Sequence, residues 1–207
     1  MARDCCEKQI VADALRKQER RVLTAVLAIN LATFVLMVAA ALQSRSTSLL
    51  SGGLDNLGDA LTYAASLAVV GSTLQIKARV AMLKAALILL AAAAVAVQIG
   101  WRLAHPAVPV FETIGIAALI NLAANLVCLR LLHPYRHGDV NMASAWECSR
   151  NDVGEGLAVL AAAGGVWLFG SGWTDLLIAA ALLVMFLRSS LRVFRASLQG
   201  LRAPSFH

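Results

Sequence analysis

Charged residues are scarce in this sequence. They account for 14% of the 207 residues, whereas 59% are hydrophobic and the mean hydropathy is +0.73. A soluble globular chain has roughly 45–50% apolar and about 25% charged residues. The shortage of charge excludes a large soluble domain and predicts an integral membrane protein. The net charge of +6 does not predict nucleic-acid binding, because the basic residues lie between the apolar segments, where they orient a membrane protein.

A disulfide framework and familiar catalytic motifs are also missing. Cys5 and Cys6 are adjacent, and Cys128 and Cys148 lie within or beside apolar segments, which excludes a disulfide-stapled fold. No His-Glu-x-x-His or Gly-x-x-x-Gly-Asp pattern is present. A membrane-embedded enzyme that depends on paired aspartates therefore has little support in the sequence, and it stays the alternative to a transport function.

Six apolar segments are long enough to cross a bilayer, whose hydrocarbon core of about 30 Å takes about 20 helical residues. They are residues 22–42, 48–74, 80–105, 108–132, 144–170 and 173–194. Pro106 and Pro109 separate the third segment from the fourth, and only Ser171 and Gly172 separate the last two. The expected fold is an all-α membrane protein, a bundle of six transmembrane helices over residues 22–194.

Lys and Arg lie almost entirely on one side of this arrangement. The exceptions are Arg45, Arg102 and Arg150. Since positive residues accumulate on the cytoplasmic side of membrane proteins, both termini are predicted to be cytoplasmic. Residues 1–21 then form an N-terminal tail and residues 195–207 a short C-terminal tail. We expect a multi-pass protein of a bacterial-type inner (plasma) membrane.

Acidic residues interrupt the second and fifth apolar segments. Asp55 and Asp59 lie four residues apart in the second, a spacing that puts both carboxylates on one face of a helix. Asp152 and Glu155 lie in the fifth. Isolated carboxylates in hydrocarbon are costly, so such residues usually face a bundle interior or a wet cavity and mark an ion path. Two helices that each carry buried acid predict a cation site between them.

The two acidic segments are also similar to each other. Residues 55–61 are Asp-Asn-Leu-Gly-Asp-Ala-Leu, and residues 151–157 are Asn-Asp-Val-Gly-Glu-Gly-Leu. An internal repeat, which many transporters contain, accounts for this similarity. A chance match between two short helices rich in small residues accounts for it equally well.

Together these features resemble the cation diffusion facilitator family, over roughly residues 20–200. In that family the second span carries His or Asp, then three residues, then Asp, and Asp55 and Asp59 fit this pattern. The fifth span of the family carries His, three residues and Asp. The resemblance implies a metal-cation/proton antiporter, a secondary active transporter rather than an enzyme, that exports zinc and related divalent ions.

The fifth segment fits the family pattern in two registers. One register aligns Asp152 with the family aspartate and puts Cys148 at the histidine position, whereas the other aligns Glu155 with the aspartate and Asn151 with the histidine. We favour the first, because a thiolate binds borderline and soft metals and asparagine binds them weakly. The predicted metal ligands are Asp55, Asp59, Cys148 and Asp152.

Four such ligands suit a tetrahedral ion such as Zn²⁺. Zinc, cadmium and cobalt all remain open as substrates, because no histidine occupies the predicted site. Carboxylates this close together do not all stay ionised in a low-dielectric cavity unless a cation joins them. The resemblance therefore implies that metal and protons bind in turn during alternating access. The metal ion is the substrate, the proton is the coupling ion, and no prosthetic group is expected.

Cys5 and Cys6 give the predicted N-terminal tail two adjacent thiols, which suit the capture of a soft ion. Incidental cysteines are the alternative. A non-transporting membrane sensor or partner that holds metal through this pair is a further alternative function. Members of the resembled family commonly end in a cytoplasmic domain that dimerises, and only a short tail follows the sixth segment here. We therefore expect a short form without that domain, and the resemblance leaves a homodimer open.

Overall fold

The fold is helical. The computed structural model describes residues 2–68, 74–137 and 140–202. These form six helices, α1 (Ala2–Ser44), α2 (Thr47–Ala68), α3 (Leu74–Ala104), α4 (Phe111–Leu132), α5 (Val140–Phe169) and α6 (Trp173–Arg202), with a 3₁₀ turn over His133–Tyr135 after α4. The described ranges contain no β-strand, so the all-α class predicted from the sequence is confirmed.

Each helix covers most of one apolar segment, and several helices extend beyond their segment at one end. Residues 69–73, near the end of the second segment, lie outside the described part of the chain. α1 begins at Ala2, so the predicted N-terminal tail is helical and continuous with the first apolar segment. α6 likewise continues to Arg202. Hydropathy marks where a helix is apolar, but the backbone hydrogen bonds that define the helix continue through polar residues. The sequence therefore located the helices better than their ends.

Three helical segments among the described residues are long and apolar enough to cross a membrane, judged by length and composition. They are Lys17–Ser44, Phe111–Tyr135 and Ala145–Phe169. Two shorter apolar stretches are Ala92–Ala104 and Trp173–Met185. α2 is in neither group, because polar residues such as Asp55, Asn56 and Asp59 lower its hydropathy. The six-span arrangement stays a prediction.

α2 lies at the centre of the bundle. It contacts each of the other five helices, and most closely α1. Gly53 allows this approach, because a Cβ atom there would lie 3.1 Å from the Cβ of Met37. A helix enclosed by protein can carry polar side chains that lipid would not tolerate. Because other helices enclose it, α2 can keep polar residues that lower its hydropathy below that of a typical span.

Two apolar clusters fill the interior at different heights. We call the end that holds the connections 45–46, 105–110 and 170–172 the hairpin end, and the opposite end, where α1 begins and α6 ends, the terminus end. The hairpin-end cluster includes Met37, Leu49, Ile114, Val159 and Leu182. The terminus-end cluster includes Leu23, Val26, Tyr63, Leu132 and Met142.

A buried polar layer separates the two clusters. Four helices contribute to it: Asn30 and Thr33 from α1, Asn56 and Asp59 from α2, Asn121 and Asn125 from α4, and Ser149 and Asp152 from α5. The amide of Asn56 donates a hydrogen bond of 2.8 Å to Asn121. This bond links α2 to α4 within the layer.

A carboxylate from α6 caps the N-terminus of α2 at the hairpin end. Asp175 is 1% exposed and accepts hydrogen bonds from the hydroxyls of Ser46 and Ser48, each at 2.6 Å, and from the Thr47 amide at 2.7 Å. The Ser48 amide is a further donor at 3.2 Å. The first amides of a helix lack intrahelical partners and carry partial positive charge. Asp175 satisfies them from another helix and so fastens α6 to α2.

A short turn joins α5 to α6 at the same end. Gly170 adopts the left-handed conformation, with φ of +58°, in which a residue without a Cβ atom is unstrained. Gly165 lets α6 approach closely, because a Cβ atom there would lie 2.6 Å from the Cγ2 of Thr174. The hairpin end therefore holds α2, α5 and α6 together.

Asp175→Asn should lower the thermal unfolding midpoint of the purified protein. The amide keeps the size of the side chain, but it replaces one acceptor oxygen with a donor that faces other donors. Because charge-assisted hydrogen bonds are lost, the free energy of unfolding should fall by about 3 kcal/mol or more. Glu112→Gln is the matched control, because Glu112 is an exposed acid in the first turn of α4. If Asp175→Asn and Glu112→Gln unfold at the same temperature, the capping role is wrong.

Candidate metal centre

Three carboxyl groups meet between α2 and α5 in the polar layer. One oxygen atom from each of Asp55, Asp59 and Asp152 lies within 4.8 Å of the other two. Asp59 and Asp152 are buried and Asp55 is half-buried. Since Asp55 and Asp59 are one turn apart, they project from the same face of α2. The structure thus brings three of the four predicted ligands together.

A fourth acid adjoins this group. Glu155 is half-buried, and its carboxyl group lies within hydrogen-bonding reach of Asp55. It follows Asp152 by three residues, so both project from the same side of α5. Each of the two registers considered for α5 therefore supplies an acid to the same place. Asn151, the other residue of the Glu155 register, is exposed.

Cys148 lies one turn before Asp152 on α5 and is half-buried. Its thiol is an electrostatic neighbour of the Tyr63 hydroxyl, as are Asp59 and Asp152. The group of three carboxylates within 4.8 Å does not include the Cys148 sulfur. A metal ion with a sulfur bond of about 2.3 Å and oxygen bonds of about 2.1 Å keeps its ligand atoms within about 4.4 Å of each other. Cys148 would have to move closer to share an ion with all three carboxylates.

The charged groups nearest to these carboxylates are themselves acidic. Asp152 has Asp59, Asp55 and Glu155 as charged neighbours. Arg150, the basic residue closest to Asp152 in sequence, is exposed and lies over the Trp146 ring at 5.2 Å. In the described part of the chain, no donor reaches the buried Oδ2 of Asp152 or Oε2 of Glu155. Acceptor oxygens without donors, among like charges, favour a bound cation or protons.

Tyr63 connects the carboxylates to the terminus-end cluster. It is fully buried, and its hydroxyl donates a hydrogen bond of 3.3 Å to Asp59 Oδ2. Tyr63 follows Asp59 by four residues, so helical spacing places it on the same face of α2. It fixes one oxygen of Asp59 while the aromatic ring packs among apolar side chains.

Cys128 is a neighbour of the site that the sequence did not identify. Its buried thiol on α4 is an electrostatic neighbour of Asp59 and accepts a weak hydrogen bond, at 3.9 Å, from the amide of Asn30. A single cysteine within an apolar segment has no partner at a ligand spacing. Nothing in the sequence therefore distinguishes Cys128 from a packing residue.

Cys5 and Cys6 fall in the first turns of α1, but their side chains lie outside the described residues. Metal capture by this pair stays a prediction.

Comparison with known proteins identifies the family. Residues 23–201 match the family model of the cation efflux transmembrane domain. No curated protein matches the chain. The matched range includes α2 and α5 with all four acids, and the proteins of this family are membrane transporters of metal cations rather than enzymes. The chain therefore belongs to the cation efflux family, also called the cation diffusion facilitator family.

Proposed function

We propose that this protein exports divalent transition-metal cations across the inner membrane in exchange for protons. The observation that carries the proposal is the group formed by Asp55, Asp59 and Asp152, whose oxygen atoms lie within 4.8 Å of one another in a buried layer. Metal–carboxylate bonds are about 2.0–2.2 Å long. One ion therefore binds all three carboxylates after small side-chain movements.

The charge of the same group supports proton coupling. Three carboxylates, with Glu155 as a fourth, repel one another where the dielectric constant is low. Either a metal ion or protons must offset that repulsion. Because a metal ligand must be deprotonated, binding of metal releases protons and binding of protons releases metal. An antiporter requires this mutual exclusion at a single site.

The two apolar clusters support alternating access. The carboxylates lie between them, so each cluster separates the site from one end of the bundle. Exchange of the ion with one side of the membrane requires that one cluster opens while the other stays packed. α2 contributes Leu49 to one cluster and Tyr63 to the other, and α5 contributes Val159 and Met142. A tilt of α2 against α5 would therefore open one cluster and preserve the other.

The available donors suit zinc, cadmium and cobalt ions. Carboxylate oxygens bind many divalent ions, whereas a thiolate favours the softer ones. Cys148 lies one turn from Asp152, and it would reach the ion only after α5 or its side chain moves closer. The ligand set is then Asp55, Asp59, Cys148 and Asp152, which suits tetrahedral coordination. In the alternative set, Glu155 supplies the remaining ligand.

The direction of transport rests on the orientation of the bundle. Apart from Arg45, Arg102 and Arg150, the Lys and Arg residues accumulate towards the terminus end. This distribution favours six spans with both termini in the cytoplasm. Metal then enters from the terminus end and leaves at the hairpin end. A homodimer is not required, because the three clustered carboxylates belong to one chain.

Asp59→Asn and Asp152→Asn should each weaken the binding of Zn²⁺ or Cd²⁺ at least about tenfold, because a neutral amide replaces an anionic ligand. Isothermal titration calorimetry of the purified protein measures the change, and the wild-type affinity should fall as the pH is lowered. Glu112→Gln removes a carboxylate far from the site and should bind as the wild type does. Wild-type affinity in both aspartate variants would refute the proposed site.

Asp55→Ala should abolish uphill metal flux in proteoliposomes that carry an imposed pH difference, while the variant still elutes as a folded protein. A protonophore should stop uphill export by the wild-type protein, since the proton gradient supplies the driving force. Uphill flux that persists without a gradient would contradict proton antiport. Wild-type flux in Asp55→Ala would instead contradict the ligand assignment.

Cys148→Ser should shift the preference of the transporter away from Cd²⁺, because a hydroxyl is a poorer ligand than a thiolate for soft ions. The ratio of cadmium flux to zinc flux in the same vesicles reports the shift. Cys128→Ser tests the other buried thiol near Asp59, and a shift as large as that of Cys148→Ser would contradict Cys148 as the thiolate ligand. An unchanged ratio in Cys148→Ser would favour Glu155 and Asn151 as the α5 ligands.

A further inference from the structure

A positively charged groove opens at the hairpin end, between the end of α1 and the last turns of α3. Its volume is about 410 Å³. The polar part of its wall consists of Arg45, Ser46, Gln98, Trp101, Arg102 and His105, and the Ser46 hydroxyl is already engaged with Asp175. No acidic residue lines it among the described side chains. The wall therefore combines two arginines with no carboxylate to neutralise them inside the groove.

Arg45 has a backbone conformation that normally belongs to glycine. Its φ is +57°, and the Ser46 amide next to it donates a hydrogen bond of 3.1 Å to the Ala41 carbonyl. This is the Schellman arrangement at a helix C-terminus, in which the left-handed residue is most often glycine. A side chain with a Cβ atom is strained there. An arginine at a strained position that favours glycine indicates that its charge serves binding rather than the helix end.

Arg102 forms the inner wall of the groove. It is 7% exposed, and its guanidinium donates a hydrogen bond to the backbone carbonyl of Arg45. A guanidinium has five N–H donors, so this bond leaves donors for a ligand. Asp175 is a charged neighbour of Arg102, but the Asp175 carboxylate already accepts hydrogen bonds from the N-terminus of α2.

The surroundings of the groove match the interface between lipid and water. The groove lies at the end of the apolar stretch Ala92–Ala104. Trp101 is 60% exposed and stacks on His105, with ring centroids 4.0 Å apart. Leu42 and Leu103 are also exposed. Tryptophan concentrates at the headgroup level of membranes, and exposed leucines beside two arginines fit a ligand with apolar chains and an anionic head.

We propose that this groove binds an anionic phospholipid, with Arg45 and Arg102 on its phosphate and with Leu42 and Trp101 beside its acyl chains. Arginine is suited to this role because its planar fork donates paired hydrogen bonds to phosphate oxygens. The bound lipid connects the α1–α2 turn to the end of α3. The site is separate from the carboxylates between α2 and α5, so it does not depend on the proposed transport function.

Native mass spectrometry of the full chain in detergent tests the lipid site, with phosphatidylglycerol and phosphatidylcholine of identical acyl chains as the titrants. The wild-type protein should bind phosphatidylglycerol saturably and more tightly than phosphatidylcholine. Arg45→Gln should weaken phosphatidylglycerol binding roughly tenfold, through loss of a charge-assisted contact, and Arg45→Lys should weaken it less. Arg130→Gln removes the same charge from an exposed position on α4 and should leave the affinity unchanged.

Arg45→Gly separates the lipid role from a structural one. Glycine relieves the left-handed strain, so this variant should unfold in lipid-free detergent at the wild-type temperature or above, and it should still lose affinity for phosphatidylglycerol. Equal binding of the two lipids, or an equal loss in Arg130→Gln, would overturn the proposal. Displacement of the lipid by inorganic phosphate at matched concentration would also overturn it, because the ligand would then be a soluble anion.

Discussion

Mutual repulsion among buried carboxylates is the constraint on which the rest of this bundle depends. One oxygen atom from each of Asp55, Asp59 and Asp152 lies within 4.8 Å of the other two, inside a layer that two apolar clusters enclose. Such a group is stable only when a cation or protons offset its charge. α2 carries two of the three acids and contacts every other helix, so protein rather than lipid surrounds its polar residues. The two acids lower the hydropathy of α2, and they also require that other helices surround it.

Much of the architecture could be predicted from the sequence, because apolar runs and proline breaks mark helices directly. The shared face of Asp55 and Asp59 follows from the geometry of a single helix. Which residue of α5 joins them depends on how α5 packs against α2. Asp152 and Glu155 project from the same side of α5, so helix geometry does not separate the two registers, and the ligand chemistry of Cys148 favours the Asp152 register. Packing against α2 brings Asp152 into the three-carboxylate group and leaves the Cys148 sulfur outside it.

Contacts between distant parts of the chain could not be predicted, because no spacing rule relates residues on separate helices. Asp175 caps a helix that begins 128 residues earlier, and no spacing rule relates α6 to the N-terminus of α2. Cys128 lies near Asp59 only because α4 packs beside α2 and α5. The helix ends were also unpredictable, since α1 continues through charged residues to Ala2. Patterns within one helix predict which residues share a face, but they do not predict which other helix that face packs against.

The fastening of α6 has a mechanical consequence. Asp175 ties α6 to the start of α2, and the close approach of Gly165 and Thr174 ties it to the end of α5. α2 and α5, the helices that carry the acids, are therefore both attached to α6 at the hairpin end. In the proposed tilt of α2 against α5, this attachment would act as the pivot, and the two helices would separate most at the terminus end. With the proposed direction of transport, entry of the metal ion at the terminus end would leave this attachment intact, whereas release at the hairpin end would first require its hydrogen bonds to break.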